Sequence, residues 1–164
     1  MNQQPILVLT TGGTIDKAYF DALSEYQIVD SGIPALLREA RVTLPFRVVE
    51  LMRKDSLDLT DADRALVAAA AHEAAETHIV ITHGTDTMTD TAKVLATAVP
   101  GKTVVLTGAL SPARFAETDA QFNLGMAFAT AQVAPPGVYI AMSGQVFDGL
   151  KVRKDRAAGK FVAL

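Results

Sequence analysis

The sequence predicts an α/β fold: a doubly wound, mainly parallel sheet flanked by helices, with a C-terminal β-hairpin, in a single domain. Three observations predict it. Short β-branched apolar runs alternate with longer segments of helical period, the order of a parallel sheet covered by helices on its faces. The runs Ile6-Leu7-Val8-Leu9 and Ile79-Val80-Ile81 are apolar without alternation, as expected of strands buried on both sides. Both then pass into glycine- and threonine-rich joints, Thr10-Thr11-Gly12-Gly13-Thr14 and Thr82-His83-Gly84-Thr85-Asp86.

Each element has its own signal. Ile6–Leu9 is the first strand. Residues 16–32 show no helical period and hold Tyr19, Phe20, Tyr26 and Gly32; they read as a long loop, which in a compact domain usually carries function. Pro34 suits the first turn of a short helix over Pro34–Ala40. Phe46–Leu51 is the second strand, and Asp55-Ser56-Leu57-Asp58 a polar loop. Thr60 and Asp63 form a capping-box pair, with Asp in place of the usual Glu, ahead of an alanine-rich helix over Ala62–Glu76. Ile79–Thr82 is the third strand and Asp86–Val99 the next helix. Pro100-Gly101 breaks the chain before a fourth strand, Thr103–Leu106. A loop over Gly108–Glu117, a helix over Asp119–Gln132 and the stop Pro135-Pro136-Gly137 lead to a fifth strand, Val138–Met142. Gln145–Val152 reads as a hairpin turning at Asp148-Gly149.

Composition narrows the function classes. The chain has 164 residues, 49% of them hydrophobic, which suits one α/β domain with a full core. The net charge of −3 argues against a broad nucleic-acid-binding surface. The basic residues do cluster over Lys151–Arg156, and such a run is usually a solvated loop. No stretch approaches the ~20 apolar residues of a membrane span. Met1-Asn2-Gln3-Gln4 lacks a basic leader, and the apolar run after it is too short for a signal peptide. With no cysteine there is no disulfide or thiolate chemistry. A cytoplasmic location fits.

In a doubly wound sheet the functional loops follow the carboxyl ends of the strands, so those at Thr11, Arg53, Thr85, Ala109 and Ser143 share one edge. Their residues suit hydrolysis of a small amide, which needs a nucleophile, a proton acceptor, oxyanion donors and groups that orient the substrate. Thr14 follows Gly12-Gly13, where backbone can approach a ligand closely, and Thr85 follows Gly84 in the same way. Asp86, at a helix start, would stay ionised and could hold an ammonium, while neighbouring N–H groups could hold a carboxylate. An amino-acid amide carries both groups. Taken alone, each feature has a plainer explanation: a tight Gly-Gly turn, or helix caps at Thr85 and Asp86. His83, ending a buried strand, suits a hydrogen-bonded structural role. Tyr19 and Tyr26 suit packing. His72, His78 and His83 are not spaced as a metal-ligand set, and no metal is expected. Nucleotide binding has little support, because neither Gly-x-Gly-x-x-Gly nor Gly-Lys-Ser/Thr occurs.

The two joints together resemble the signatures of the bacterial-type L-asparaginase/glutaminase family: Thr11-Gly12-Gly13-Thr14-Ile15 and His83-Gly84-Thr85-Asp86-Thr87-Met88. The likeness extends to Gly108-Ala109-Leu110-Ser111-Pro112, Phe122-Asn123-Leu124 and Asp148-Gly149. It implies Thr14 as acyl-accepting nucleophile, helped by Tyr26 on a mobile lid. It implies a second triad of Thr85, Asp86 and Lys154, in which the Lys154 ammonium tunes Thr85. Asp86 would also bind the substrate ammonium, and N–H groups at Thr85, beside Gly84, and at Ala109 would face the oxyanion. No cofactor is implied.

Two departures accompany the likeness. Family members run to about twice this length, with a second α/β domain that gives an acidic residue to a neighbouring subunit's site; residues 1–164 match only the N-terminal, catalytic domain. Where many members carry Ser-Gln for the substrate's α-carboxylate, aligning on Asp55 puts Arg53 and Lys54, so one of these cations is expected to bind it. The expected activity is conversion of L-asparagine to L-aspartate and ammonia, with weak glutaminase activity. The expected assembly is a homo-oligomer that binds neither nucleic acid nor membrane. A non-catalytic amino-acid-binding or regulatory module, or an ammonia-donating amidotransferase subunit, are the alternatives.

Overall fold

The computed structural model describes residues 3–164, so Met1 and Asn2, on which the leader reading partly rests, lie outside the described residues. Five parallel strands form the sheet: β1 (Ile6–Gly12), β4 (Phe46–Lys54), β5 (His78–Thr82), β6 (Thr103–Thr107) and β7 (Gly137–Met142). β8 (Gln145–Asp148) adds antiparallel to β7, giving the order β4-β1-β5-β6-β7-β8. From β1 the chain winds outward to β4 and then returns across β1 to β5. The reversal lies between β1 and β5, and in open sheets of this kind ligands bind at that point, beyond the carboxyl ends.

Two apolar layers close on the sheet, as double winding requires. On one face Leu7, Leu9, Ile79, Ile81 and Leu106 pack against α2 (Asp61–Glu73) and α3 (Met88–Ala98) through Val67, Ala71, Met88 and Leu95. On the other, Ile6, Val8, Val80 and Val105 meet α1 (Ile33–Glu39) and α4 (Ala120–Val133) through Ile33, Leu37, Leu124 and Phe128. β1, β5 and β6 therefore carry apolar side chains on both faces, which is why their sequences do not alternate. No helix among the described residues is long and apolar enough to cross a membrane.

Two segments differ from the sequence reading. Residues 16–32 are a β-hairpin, with β2 (Lys17–Phe20) antiparallel to β3 (Glu25–Ile28). Tyr19 and Tyr26 are paired across it, ring centroids 5.1 Å apart, and Phe115 stands 5.9 Å from Tyr26. Four-residue strands with little burial leave too short an alternation to read. The C-terminal hairpin is also placed differently. β7 turns into β8 at Ser143-Gly144, both at positive φ, with Met142 opposite Gln145, the two-residue turn that matches strand twist. At Asp148-Gly149 the expected turn is present, with the Lys151 N–H donating to the Asp148 carbonyl at 3.0 Å, but β8 and β9 (Val152–Asp155) do not pair across it. A Cβ at Gly149 would stand 2.9 Å from the Val138 carbonyl oxygen and 3.2 Å from the Ala92 methyl, so the turn there needs clearance rather than positive φ. Beyond it β9 pairs with β10 (Lys160–Ala163) in a second hairpin.

The capping box ahead of α2 is complete. Thr60 Oγ1 accepts the Asp63 N–H at 3.2 Å, and Asp63 accepts the Thr60 N–H at 2.9 Å. α3 begins at Met88, later than expected, with Thr87 at its N-cap position, so Asp86 precedes the helix. Thr60→Ala removes one half of the α2 cap and is expected to lower unfolding stability by about 1 kcal/mol, read from chemical denaturation.

Candidate active site

The site is built on backbone contact between strand ends. Thr10 and Thr82 are register partners on β1 and β5, so the two loops leave the sheet side by side. Gly13, at φ +82°, lies against the backbone of Gly84, and a Cβ on it would stand 2.5 Å from the Gly84 nitrogen. A Cβ on Gly84 would in turn stand 2.6 Å from the Ser56 Cβ. Gly13 also donates its N–H to the Lys54 carbonyl at 2.9 Å. The ends of β1, β4 and β5 thus touch backbone to backbone. Thr14 and Thr85 each follow directly the glycine that makes this contact. Thr14 opens a short 3-10 turn whose next residue, Ile15, is buried and anchors it in the core.

Lys154 reaches this edge from β9. Its ammonium donates to Thr85 Oγ1 and to Asp86 Oδ1, each at 2.7 Å, and its side chain is only 15% exposed. The Asp86 carboxylate is therefore balanced by a lysine, not by free N–H groups of a helix. Asp86 Oδ2 has no partner among the described residues. The N–H groups of Thr85, Asp86 and Ala109 likewise find no acceptor among the described residues. Two consecutive free donors beside a free carboxylate oxygen suit a zwitterion.

Loops from the other strands hold this arrangement. Asp119 accepts the N–H groups of Leu110 and Ser111 at 2.9–3.0 Å, and buried Asn123 donates to the Gly108 carbonyl while accepting the Ser143 N–H. Ala113 donates to the Ile15 carbonyl at 3.0 Å, tying the loop after β6 to the Thr14 turn. Asp16 is buried. Burial pushes its carboxyl up, against hydrogen bonds from the Gly32 N–H and the Ser31 hydroxyl, and those bonds fix the base of the β2–β3 hairpin.

The structure does not bring every expected residue together. Tyr26 is on the hairpin but 53% exposed and packed on Tyr19 and Phe115, with no hydrogen bond to Thr14. It lines an open cleft of about 440 Å³ with Lys17, Arg53, Lys54, Asp55 and Asp58. Arg53 and Lys54 are at the end of β4 and already paired: Arg53 Nε donates to Glu50 at 2.7 Å, and Lys54 spans both Asp63 oxygens at 2.8–2.9 Å. The second pair, together with the Thr60 N–H, holds the Asp63 carboxyl at about 2, so freeing Lys54 would disturb the cap of α2. Asp55 accepts from Lys17 at 3.0 Å and from the Leu57 N–H at 3.1 Å. Burial pushes its carboxyl up, but these bonds and the Lys17 and Lys154 charges hold it below the usual carboxylate range.

Sequence reading missed Ser56. It is buried, its hydroxyl accepts the Thr87 N–H at 3.3 Å, and its carbonyl accepts the Thr87 hydroxyl at 2.7 Å. Its place just past the carboxyl end of a strand was the available signal. His83 is structural, as its burial suggested. Its ring bridges the Gly84 carbonyl at 2.6 Å and Thr91 Oγ1 at 2.7 Å, and burial pushes its pKa down to about 4.

A protein-family model described as "Asparaginase, N-terminal" matches residues 5–160. The chain belongs to the asparaginase family. An L-asparaginase from Thermococcus kodakarensis is 34% identical over 163 residues, covering 94% of this chain and 48% of the relative. The solved structure of the thermostable L-asparaginase from that organism superposes with a TM-score of 0.86 at 29% identity, covering 98% of this chain and 51% of that one. A glutamyl-tRNA(Gln) amidotransferase subunit from Methanococcus vannielii is 29% identical over 168 residues, covering 93% of this chain and 39% of the relative. The chain thus spans about half the length, or less, of the asparaginase-family relatives it matches.

Two outcomes follow from the geometry. Gly13→Ala drives a methyl into the Gly84 backbone at a φ of +82°, and is expected to cost about 3 kcal/mol in denaturant unfolding. His83 refuses a proton that the unfolded chain accepts near 6.5, so it removes stability as pH falls from 6.5 to about 4, by roughly 3 kcal/mol in all. An NMR titration should find the His83 ring neutral at pH 5.5; a midpoint between 6 and 7 would contradict its placement.

Proposed function

We propose that this chain is an amidohydrolase that converts L-asparagine to L-aspartate and ammonia, with Thr14 as nucleophile. The observation that carries the proposal is the Lys154 ammonium on Thr85 Oγ1 and Asp86 Oδ1, together with the contact between Gly13 and Gly84, the residues directly before Thr14 and Thr85. The family relationship supports the same chemistry.

Each group then has a task. Asp86 takes the substrate ammonium. Thr14 Oγ attacks the carboxamide carbon, and the free N–H groups of Thr85 and Ala109 receive the charge that develops on oxygen. Because Thr85 Oγ1 accepts from Lys154, its own proton points away from the ammonium, and the adjacent charge makes that proton more acidic. Thr85 passes it to the departing nitrogen and recovers one from Thr14, so ammonia leaves and an ester remains. Water attacks the ester, returns a proton to the Thr14 oxygen, and L-aspartate departs. L-glutamine, one methylene longer, differs by only ~1–3 kcal/mol in such a pocket, so slower glutamine turnover is part of the proposal.

The relative named as an amidotransferase subunit favours a second reading, in which ammonia is passed to a partner chain. Purified chain alone distinguishes the two, since only the hydrolase releases free ammonia at full rate without a partner. Self-association belongs to the first reading: Phe20, Leu23, Tyr26 and Phe115 are exposed around the hairpin, where a neighbouring copy would shield them.

A coupled ammonia assay with L-asparagine is expected to show turnover in the parent chain. Thr14→Ala should lower kcat by at least ~10³-fold, and Lys154→Met by ~10²–10³-fold. Binding of L-asparagine without any ammonia release in the parent would make this an amino-acid-binding module instead.

A further inference from the structure

We propose that Arg156 binds the α-carboxylate of the substrate, alongside Asp86 on the ammonium. The inference rests on the amidohydrolase reading and supplies the cation that Arg53 and Lys54 do not.

Arg156 begins the turn from β9 to β10, two residues beyond Lys154. Its Nε stands 3.6 Å from Asp86 Oδ1 and its Nη2 3.5 Å from the Asp86 carbonyl oxygen. Both distances lie at or past the limit of a hydrogen bond. Charge therefore keeps the guanidinium beside Asp86 while its donors remain almost uncommitted, out of the five a guanidinium carries. Its side chain is 66% exposed, against 15% for Lys154. The other cations of this edge are committed to short bonds. Lys154 holds Thr85 and Asp86, Lys17 holds Asp55, Arg53 holds Glu50, and Lys54 holds Asp63.

The chemistry of the ligand completes the case. In an α-amino acid the carboxylate is attached to the carbon that bears the ammonium. An ammonium on Asp86 Oδ2 therefore sets the carboxylate immediately beside Asp86. A planar fork of N–H donors is the group best shaped to receive a carboxylate there. The free N–H group of Asp86 can share it, leaving that of Thr85 for the oxyanion.

The test pairs a residue change with a substrate change. For L-asparagine, Arg156→Gln should raise KM at least ~10-fold with a much smaller change in kcat. Arg156→Lys, which keeps the charge without the fork, should recover part of the loss. The amide 3-aminopropanamide keeps the ammonium and lacks the α-carboxylate, so its kcat/KM should fall far less. Equal losses on both amides, or a KM for L-asparagine within twofold of the parent, would overturn the assignment. The same change at Arg53 should raise KM less than at Arg156.

Calorimetric titration with L-asparagine separates this inference from the reading beneath it. If the parent chain binds L-asparagine but releases no ammonia, the hydrolase reading falls, and a weaker Kd in Arg156→Gln still upholds the carboxylate site. If the parent turns over and Arg156→Gln neither binds more weakly nor shows a raised KM, the carboxylate site alone falls. If the parent neither binds nor turns over L-asparagine, both fall.

Discussion

Close approach of two main chains, at Gly13 and Gly84, is the constraint from which the rest of the site follows. β1 and β5 are hydrogen-bonded neighbours, but their carboxyl ends lead to different elements, one to a hairpin and one to α3. The loops can run against each other only where neither carries a side chain at the crossing. Ser56 fills the third side, against Gly84, and its link to Thr87 fixes the entry to α3. A threonine hydroxyl is a poor nucleophile on a mobile turn. Thr14, the proposed nucleophile, would gain from being the next residue after a contact that has no room to relax.

Charge enters this frame from outside the sheet. Lys154 belongs to the small β9–β10 hairpin, which follows the last strand of the main sheet. Its ammonium is nearly buried, a costly state without partners. Thr85 and Asp86 supply them, and the lysine in turn ties the C-terminal hairpin to the loop after β5. The β9–β10 hairpin is thus a structural part of the candidate site. The close packing of Gly149 against Val138 and Ala92 shows how tightly the path toward β9 is held.

Most of the sheet was legible in the sequence because burial on both faces leaves a continuous apolar run, and that signal does not depend on partners. The two joints were legible because Gly-Gly and His-Gly meet hydroxyls at strand ends. The β2–β3 hairpin was not, since a barely buried four-residue strand has neither an apolar run nor a long alternation. The turn at Asp148-Gly149 was legible, but not that the strands on either side of it belong to different sheets, because a turn signal does not say whether its flanks pair. Arg53 or Lys54 was expected to bind the substrate's carboxylate because a linear sequence hides the partners both already have. Glu50 is near in sequence, but Asp63 arrives from the start of α2. Ser56 was legible only by its place past a strand end, because it carries no charge and its contacts rest on being small and hydroxylated beside a glycine.

The distribution of partners across the edge explains why the cations there are not equivalent. Lys17, Asp55, Lys154, Asp86 and Arg156 form a row of alternating charge from the hairpin base to the β9–β10 turn. Asp55, pushed up by burial, lies in the field of Lys17 and, more weakly, of Lys154. At its Asp55 end the row is held by the short Lys17–Asp55 bond at 3.0 Å. Toward Arg156 it loosens, with the guanidinium exposed and its contacts long. A zwitterionic ligand needs one fixed carboxylate and one cation able to turn toward it. Asp86, fixed by Lys154 on one oxygen and open on the other, meets the first need. At the loose end of the row, the guanidinium keeps enough freedom to meet the second.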